Sequence, residues 1–533
     1  MSDKTIKNNV ACRFSESVCM HPHRVAIETN DCKYSYTAVS KMVGGLQQII
    51  TNLDGLHIQY VSVFSGRTLT SYISILATLC VGKAYIPLHP DLPSERIVNM
   101  LEISGVTLMV VDAECKNEFQ DLLKVVTVKI VFIVVGFDKN DNLNDKYPEH
   151  EFIYVENIES LNKDFNITQV NDNDLAYLLF TSGSTGQPKG VPVSHKNVCS
   201  YINYITDTYN ISESDRFSHM FELNFDLSIH DMFVCWASAA CLCIPSSNDL
   251  LFPVSYIEKS GITMWFSVPS VAMFIDNYGR LEPNKFRKLR YSFFCGEALP
   301  VTLANKWSEA APNSIVENLY GPTEATIAIS RYTLNESVSE KDSINGIVPM
   351  GHLFAKQYGR VIDENGNEQK TGVSGELCLS GTQVTKGYLG NPSKTKSQYI
   401  QFNNTGSTIW YKTGDRVYVD KFGCYYYLGR IDNQVKVLGH RVELAEIDHA
   451  VREFTSTSIV ATIAWPLVDG IATGIVCFVC GSSKNEKSII NYCRTKLPRY
   501  MVPDKVHFIE SMPLNISGKI DRLMLRSILD SDE

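Results

Sequence analysis

The ten residues TSGSTGQPKG, Thr181 to Gly190, set three glycines and four hydroxyl side chains beside one proline and one lysine. Glycines present backbone N–H groups without Cβ obstruction, and hydroxyls add donors, a combination suited to phosphate oxygens. The apolar run DLAYLLF, Asp174 to Phe180, reads as the strand that feeds this loop, and Ser194 in VPVSHKNV reads as the N-cap of a helix. The magnesium-holding loop G-x-x-x-x-G-K-[ST] does not fit: Lys189 is followed by Gly190, where that motif needs a hydroxyl. Nor does S-G-S-T-G around Ser184 match the nucleophile elbow G-x-S-x-G. Taken alone, the loop also fits a flexible surface segment, although Pro188 and Lys189 constrain it more than a linker requires.

The elements around it belong to an α/β protein. YVSVFSG followed by LTSYISILATLCVG, VTLMVVD followed by NEFQDLLKVV, and ITMWFSVP followed by VAMFIDNYG alternate β-rich runs with helical ones, the pattern of parallel sheets flanked by helices. From about Gly346 short strands and turns take over, as in SGELCLSG and YVDKFGCYYYLGR, and predict an antiparallel or barrel-like subdomain. A shorter α+β pattern then runs to the end. The expected division is an N-terminal core over 1–431, with the barrel-like part at about 346–431, and a mobile C-terminal domain over 432–533. At 533 residues the chain is too long for one core.

The net charge of −9, with no basic block, argues against a nucleic-acid surface. The start, MSDKTIKNNVACRF, has no apolar targeting region. The longest apolar segment, Val125 to Phe137, is too short and interrupted for a membrane span and reads as a buried strand with its approach. A cytoplasmic protein without membrane contact is expected. The fifteen cysteines show no disulfide spacing, and Cys477 and Cys480 in GIVCFVCG read as core residues rather than metal ligands.

The loop is followed in order by FDLSIHDMF, NLYGPTEATIA, SGELCLSG, YKTGD, GRIDNQVKVLGHRVELAEID and MPLNISGKIDR. This series resembles the adenylate-forming superfamily of acyl-CoA synthetases, luciferases and peptide-synthetase adenylation domains over nearly the whole chain. The resemblance implies a two-step reaction with ATP and Mg²⁺: a carboxylate attacks the α-phosphate and releases pyrophosphate, and a thiol then displaces AMP. It implies that Thr181, Ser182, Ser184, Thr185 and Lys189 hold the leaving phosphates and that Glu324 helps hold Mg²⁺. Thr323 would bond the α-phosphate, Tyr320 would stack on adenine with Asn318 at its edge, and Asp415 and Arg430 would hold the ribose. Lys519 would bridge the substrate carboxylate and the α-phosphate, where a cation counts most in the transition state. A hinge at Asp432 would remove Lys519 after the first step and present VKVLGHRVE to the thiol.

Asp226 matches the aspartate by which amino-acid-activating members bind the substrate ammonium. The family's pocket positions map onto Asp226, Leu227, His230, Ser267, Phe293, Cys295, Leu319, Ile327 and Ala328, closed by Lys519. Phe293, Leu319 and Ile327 predict a small apolar cavity. FDLSIHDMF and FFCGEALP are similar to the free-standing L-proline and D-alanine carrier-protein ligases, which ranks L-proline first and alanine of either hand second. His230 is expected to bond a substrate or to sit against Asp231. With no carrier-domain or condensation motif in the chain, the thiol is expected in trans, from a phosphopantetheinylated carrier protein, with coenzyme A as competitor. Two rivals stand beside this reading. One is an acyl-CoA synthetase for a small organic acid, opposed by Asp226; the other is a catalytically silent nucleotide-binding regulator, opposed by the presence of Glu324 and Lys519.

Overall fold

A computed structural model of the protein describes residues 8–53, 58–183, 187–334, 343–402, 406–432, 434–457, 459–468, 470–514 and 520–531. Two large sheets form the N-terminal part. One has seven strands in the order Glu151–Val155, Val131–Val135, Leu108–Asp112, Tyr60–Phe64, Ala84–Leu88, Leu175–Thr181 and Lys189–Ser194. The other has nine and includes, as adjacent parallel strands, Met264–Ser267, Tyr291–Phe294 and Ile315–Tyr320. Val131–Val135 is buried at every position between two parallel neighbours, which is why its sequence, VFIVV, is continuously apolar instead of alternating.

Helices Tyr36–Asn52, Leu69–Cys80 and His195–Thr208 contribute to a single core that includes residues of both sheets. The helix Leu69–Cys80 is buried around almost its whole circumference, so it carries no polar stripe to solvent. Helix His195–Thr208 starts at the expected Ser194 cap, and a reciprocal pair joins Ser194 and Asn197.

The strand Lys189–Ser194 departs from the expected pattern. It pairs antiparallel with Leu175–Thr181, so a strand stands between the phosphate-loop candidate and the helix that Ser194 caps. Gly190 and Pro192 hide the strand in the sequence, and its place at the sheet edge explains why a proline is tolerated there.

Further along, Gln357–Ile362, Gly375–Gly381, Tyr399–Ile400, Trp410–Val419 and Tyr425–Arg430 form a five-stranded antiparallel sheet. The C-terminal part has a second small core. It comprises the hairpin Gln434–Val437 and His440–Glu443, the sheet Val460–Ala464, Ile475–Cys480 and Lys505–Ile509, and the helices Leu444–Thr455 and Glu486–Lys496. Cys477 lies buried in this core, and every cysteine is a free thiol. Among the described residues no helix is long and apolar enough to cross a membrane.

Candidate active site

The hairpin turn, the end of strand Ile315–Tyr320 and the short helix that starts at Asp226 converge with the C-terminal hairpin. Lys189 opens its edge strand and is buried, with Nζ 3.3 Å from Glu443 Oε1. Ser182 donates its hydroxyl to the Arg441 carbonyl at 2.8 Å, and the Gly183 N–H donates to Glu446 Oε2 at 3.1 Å. The Thr181 hydroxyl is buried without a hydrogen-bond partner. The described ends of the loop thus hold a backbone N–H, an ammonium and two hydroxyls, and the carboxylates of Glu446 and Glu443 already stand against two of those donors. Ser184, Thr185 and Lys519 lie outside the described residues.

Tyr320, Asp415 and Arg430 come together, and Asn318 lies two residues before Tyr320 on the same strand. Asn318 commits its amide N–H groups to the carbonyls of Pro349, at 2.8 Å, and Val348. Its Oδ1 is left buried and unpartnered, suited to accept from an exocyclic amine. The Tyr320 hydroxyl donates to Asp415 Oδ2, and Arg430 Nη1 lies 2.9 Å from Asp415 Oδ1. Arg430 also bonds the Thr413 carbonyl and forks onto Asp432 at 2.9 and 2.6 Å.

Glu324 is fully buried between the Tyr388 hydroxyl and the Arg441 guanidinium, each 2.7 Å from one carboxylate oxygen. Burial would push its carboxyl up, but Arg441 and Lys189 overcome that and hold it down at about 2, fully ionised. This hard, charged oxygen pair fits Mg²⁺. Among the described residues no three potential metal ligands cluster, so Mg²⁺ would rest on Glu324 and the nucleotide's own phosphates, the usual manner for this ion.

The loop that carries Glu324 turns through two non-glycine residues at positive φ, Thr326 at 59° and Ile327 at 72°. For a β-branched side chain this is strained backbone. Gln383, buried and unremarked in the sequence, holds it. Its Nε2 donates to the Ala328 carbonyl at 2.7 Å and more weakly to those of Thr326 and Ala325, while the Thr326 hydroxyl bonds back to the Gln383 carbonyl at 2.6 Å. Gln383→Leu is therefore expected to destabilise the fold by about 2 kcal/mol, since buried carbonyls lose their donor. Thermal unfolding of the variant measures this, and an unchanged midpoint would contradict it.

Asp226 lies at the start of the short helix Leu227–Ile229, with Oδ2 buried and unpartnered. Burial pushes its carboxyl up to about 6, against the pull of the Thr323 hydroxyl and the Lys436 ammonium. Leu227, Cys295 and Leu319 are nearly buried, and Ser267, Phe293, Ile327 and Ala328 are 0% exposed. His230 does not sit against Asp231. Its Nδ1 is 2.8 Å from the Tyr201 hydroxyl, its ring packs edge-on to Phe266 and Phe293, and burial pushes it down to about 3, so it is a neutral polar group in an aromatic wall. Asp231 faces His219 instead, at 3.4 Å.

Besides Gln383, the residues that sequence reasoning left unassigned belong to the C-terminal hairpin: Lys436, Arg441 and Glu443, with Glu446 just beyond. Gly439 forms its tip. Gly439 N–H donates to Glu297, its φ is +82°, and a Cβ there would lie 2.5 Å from Val268 Cγ1. His440 stacks on Tyr500 at 3.8 Å and packs edge-on to Phe225, beside Asp226. The motif VKVLGHRVE was legible as a block, but nothing in its spacing shows which side chain meets which residue some 250 positions earlier.

Comparison with known proteins agrees with this geometry. The model of the AMP-binding enzyme family matches residues 14–389, and that of the AMP-binding enzyme C-terminal domain matches 460–519. Bacitracin synthase 1 of Bacillus licheniformis is 30% identical over 97% of this chain, which spans only 9% of that protein's length. The D-alanine–D-alanyl carrier protein ligase of Bacillus licheniformis is 28% identical over 85% of this chain and 86% of its own. Among solved structures, the Vibrio cholerae adenylation domain AlmE, determined with glycyl-adenosine-5'-phosphate, superposes with a TM-score of 0.89 at 32% identity, covering 100% of this chain and 99% of that one. The mixed α/β core and the small C-terminal domain match the adenylation-domain fold, and the chain belongs to the AMP-binding enzyme family, the ATP-dependent, AMP-forming ligases.

Proposed function

We propose that the protein activates a small amino acid as its adenylate and passes it to the phosphopantetheine thiol of a separate carrier protein. The observation that carries this is Asp226, a buried carboxylate whose Oδ2 has no hydrogen-bond partner and so is open to a substrate ammonium. The full burial of Ser267, Phe293, Ile327 and Ala328 supports a pocket for a small side chain. Glycine, the acyl group bound by AlmE, therefore goes first, alanine second, and L-proline, whose ring needs room beyond the Cβ, third.

In the first step a substrate carboxylate oxygen attacks the α-phosphorus, the bond to the bridging oxygen breaks, and pyrophosphate leaves. Asp226 fixes the ammonium, Thr323 bonds the α-phosphate, and Thr181, Ser182 and Lys189 receive the departing phosphates. Lys519 brings a positive charge between substrate carboxylate and phosphate. Asn318 and Tyr320 orient the base, and Asp415 and Arg430 the ribose. Mg²⁺, when bound at Glu324, neutralises phosphate charge. In the second step a thiolate adds to the acyl carbon, and AMP departs with the former carboxylate oxygen. Between the steps the domain over 432–533 pivots at Asp432 relative to the core over 1–431. The docked hairpin, with Gly439 against Val268 and Lys436 near Asp226, supports the assignment of this arrangement to the second step. The carrier role draws support from the D-alanyl carrier protein ligase, a relative of similar length.

Amino-acid-dependent ATP–pyrophosphate exchange tests the substrate. Glycine or alanine should give the strongest signal. Dominant exchange with L-proline would reverse the ranking, and exchange only with non-amino acids would overturn the reading of Asp226.

The same carboxylate sets a pH dependence. With its acid form favoured by burial up to about 6, the charged form that binds ammonium is lost as pH falls through that value. Amino-acid kcat/KM is expected to drop ~10-fold per unit below about pH 6, while the KM for ATP moves little. A flat profile from pH 5 to 8 would contradict the assignment.

A further inference from the structure

Of the tip residues Val437, Leu438, Gly439 and His440, only the last can change charge near neutral pH. Its ring lies on that of Tyr500 at 3.8 Å, within the C-terminal part, and its edge is met by Phe225 of the core at 4.7 Å. Nδ1 is buried with no hydrogen-bond partner. A neutral imidazole tolerates this by carrying its proton on the other nitrogen. An imidazolium carries one on each, so Nδ1 would hold a buried N–H with no acceptor, a costly state for a charged group. The surrounding charges are committed elsewhere. On the segment that carries Phe225, Glu222 pairs with Arg67 at 2.9 Å and bonds His89 at 3.2 Å, while Asp226 is drawn on by Thr323 and Lys436. Glu297 takes the Gly439 N–H. Around Tyr500, Arg96 and Glu446 pair with each other and Arg499 is exposed. On the hairpin itself, Arg441 lies on Glu324 and Glu443 on Lys189. Burial therefore pushes His440 down to about 4, with Glu222 pulling the other way.

We propose that His440 is a positioning residue of the thiol step: it seats the hairpin only as the neutral imidazole, and a proton taken up while the hairpin is away from Phe225 keeps it away. This rests on the two-step reading and adds a pH limit that belongs to the second step alone. Away from Phe225 the imidazole meets water and regains its ordinary value of 6.5. The seated state binds the proton more weakly than the free one, so seating is fully favoured above that value. It weakens about tenfold per unit as pH falls from there towards 4. Acid thus leaves an adenylate formed and untransferred. The limit set by Asp226 is separate, because it acts on adenylation.

Two measurements on the full chain test this. The His440 Cε1–H resonance, identified among the 12 histidines by its loss in His440→Phe, is titrated by NMR. In the wild type it should not titrate between pH 8 and 5.5. In Gly439→Leu, whose hairpin cannot seat, it should titrate near 6.5. The second measurement forms the adenylate at pH 7.5, with whichever amino acid gives the strongest exchange, and mixes it with pantetheine at pH 7.5 or 5.5 in a single turnover. Dividing the wild-type rate by that of His440→Phe removes the ionisation of the thiol, which both proteins share. Phenylalanine keeps the ring contacts and cannot take a proton, so this ratio should fall about tenfold from pH 7.5 to 5.5. An equal ratio at both values, or a wild-type imidazole that titrates near 6.5, would overturn the proposal and leave the thiol step standing. Absence of transfer in both proteins at every pH would overturn the thiol-step reading, and the proposal with it.

Discussion

Asp226→Asn is expected to lower amino-acid-dependent kcat/KM by ~10²–10⁴-fold. The substitution keeps the size of the side chain and removes its charge, so the substrate ammonium would enter a buried site without a counter-ion. Breaking a buried charge pair in this way costs about 3–5 kcal/mol, which converts to that range. Little of the loss should come from misfolding, because the Oδ2 of Asp226 has no partner in the free chain and gives up no hydrogen bond there. The KM for ATP should change little, since the proposed nucleotide residues Asn318 and Asp415 lie on strands away from the Asp226 helix. Steady-state pyrophosphate exchange measures both constants. Full retention of activity would show that the acid substrate carries no ammonium and would bring forward the small-acid acyl-CoA synthetase.

Gly439→Leu should separate the two half-reactions. At φ +82° a leucine is strained, and its Cβ would meet Val268 Cγ1 at 2.5 Å, so the hairpin tip cannot seat beside Glu297. Under the proposed pivot at Asp432 adenylation takes place with the hairpin elsewhere, and it is expected to stay within a few-fold of the parent. Transfer to the thiol should fall by ~10²-fold, as misplacement of a positioning element by an ångström or more commonly does. Single-turnover transfer of radiolabelled substrate to a carrier protein, run beside pyrophosphate exchange, reads the two steps separately. Equal loss in both would contradict the assignment of the docked hairpin to the second step.

Much of this was legible in the sequence, for physical reasons that differ from place to place. The continuous apolar run VFIVV, the Ser194 cap and the change of texture near Gly346 are local signals, and the structure follows them. The edge strand Lys189–Ser194 was not legible, because Gly190 and Pro192 lower strand propensity and only the sheet neighbour overrides it. At the site, Asp226, Asn318 and Glu324 stood out through ordered motifs. Gln383 did not, since a lone glutamine has no pattern until its amide is seen spanning three carbonyls. The pairing of Glu446 with Gly183 was equally hidden: it joins residues 263 positions apart and depends on how the C-terminal part is seated. The neutral state of His230 likewise follows from its burial among Tyr201, Phe266 and Phe293 and not from its own motif.

The most direct test of adenylation follows an oxygen atom. Glycine, or whichever amino acid gives the strongest exchange, is labelled with ¹⁸O in both carboxylate oxygens and turned over with ATP and a thiol acceptor, and the nucleotide product is analysed by mass. Attack of the carboxylate on the α-phosphorus, followed by thiolysis at the acyl carbon, predicts AMP carrying one ¹⁸O, with the other retained in the thioester carbonyl. Unlabelled AMP, or ADP as the nucleotide product, would contradict the account.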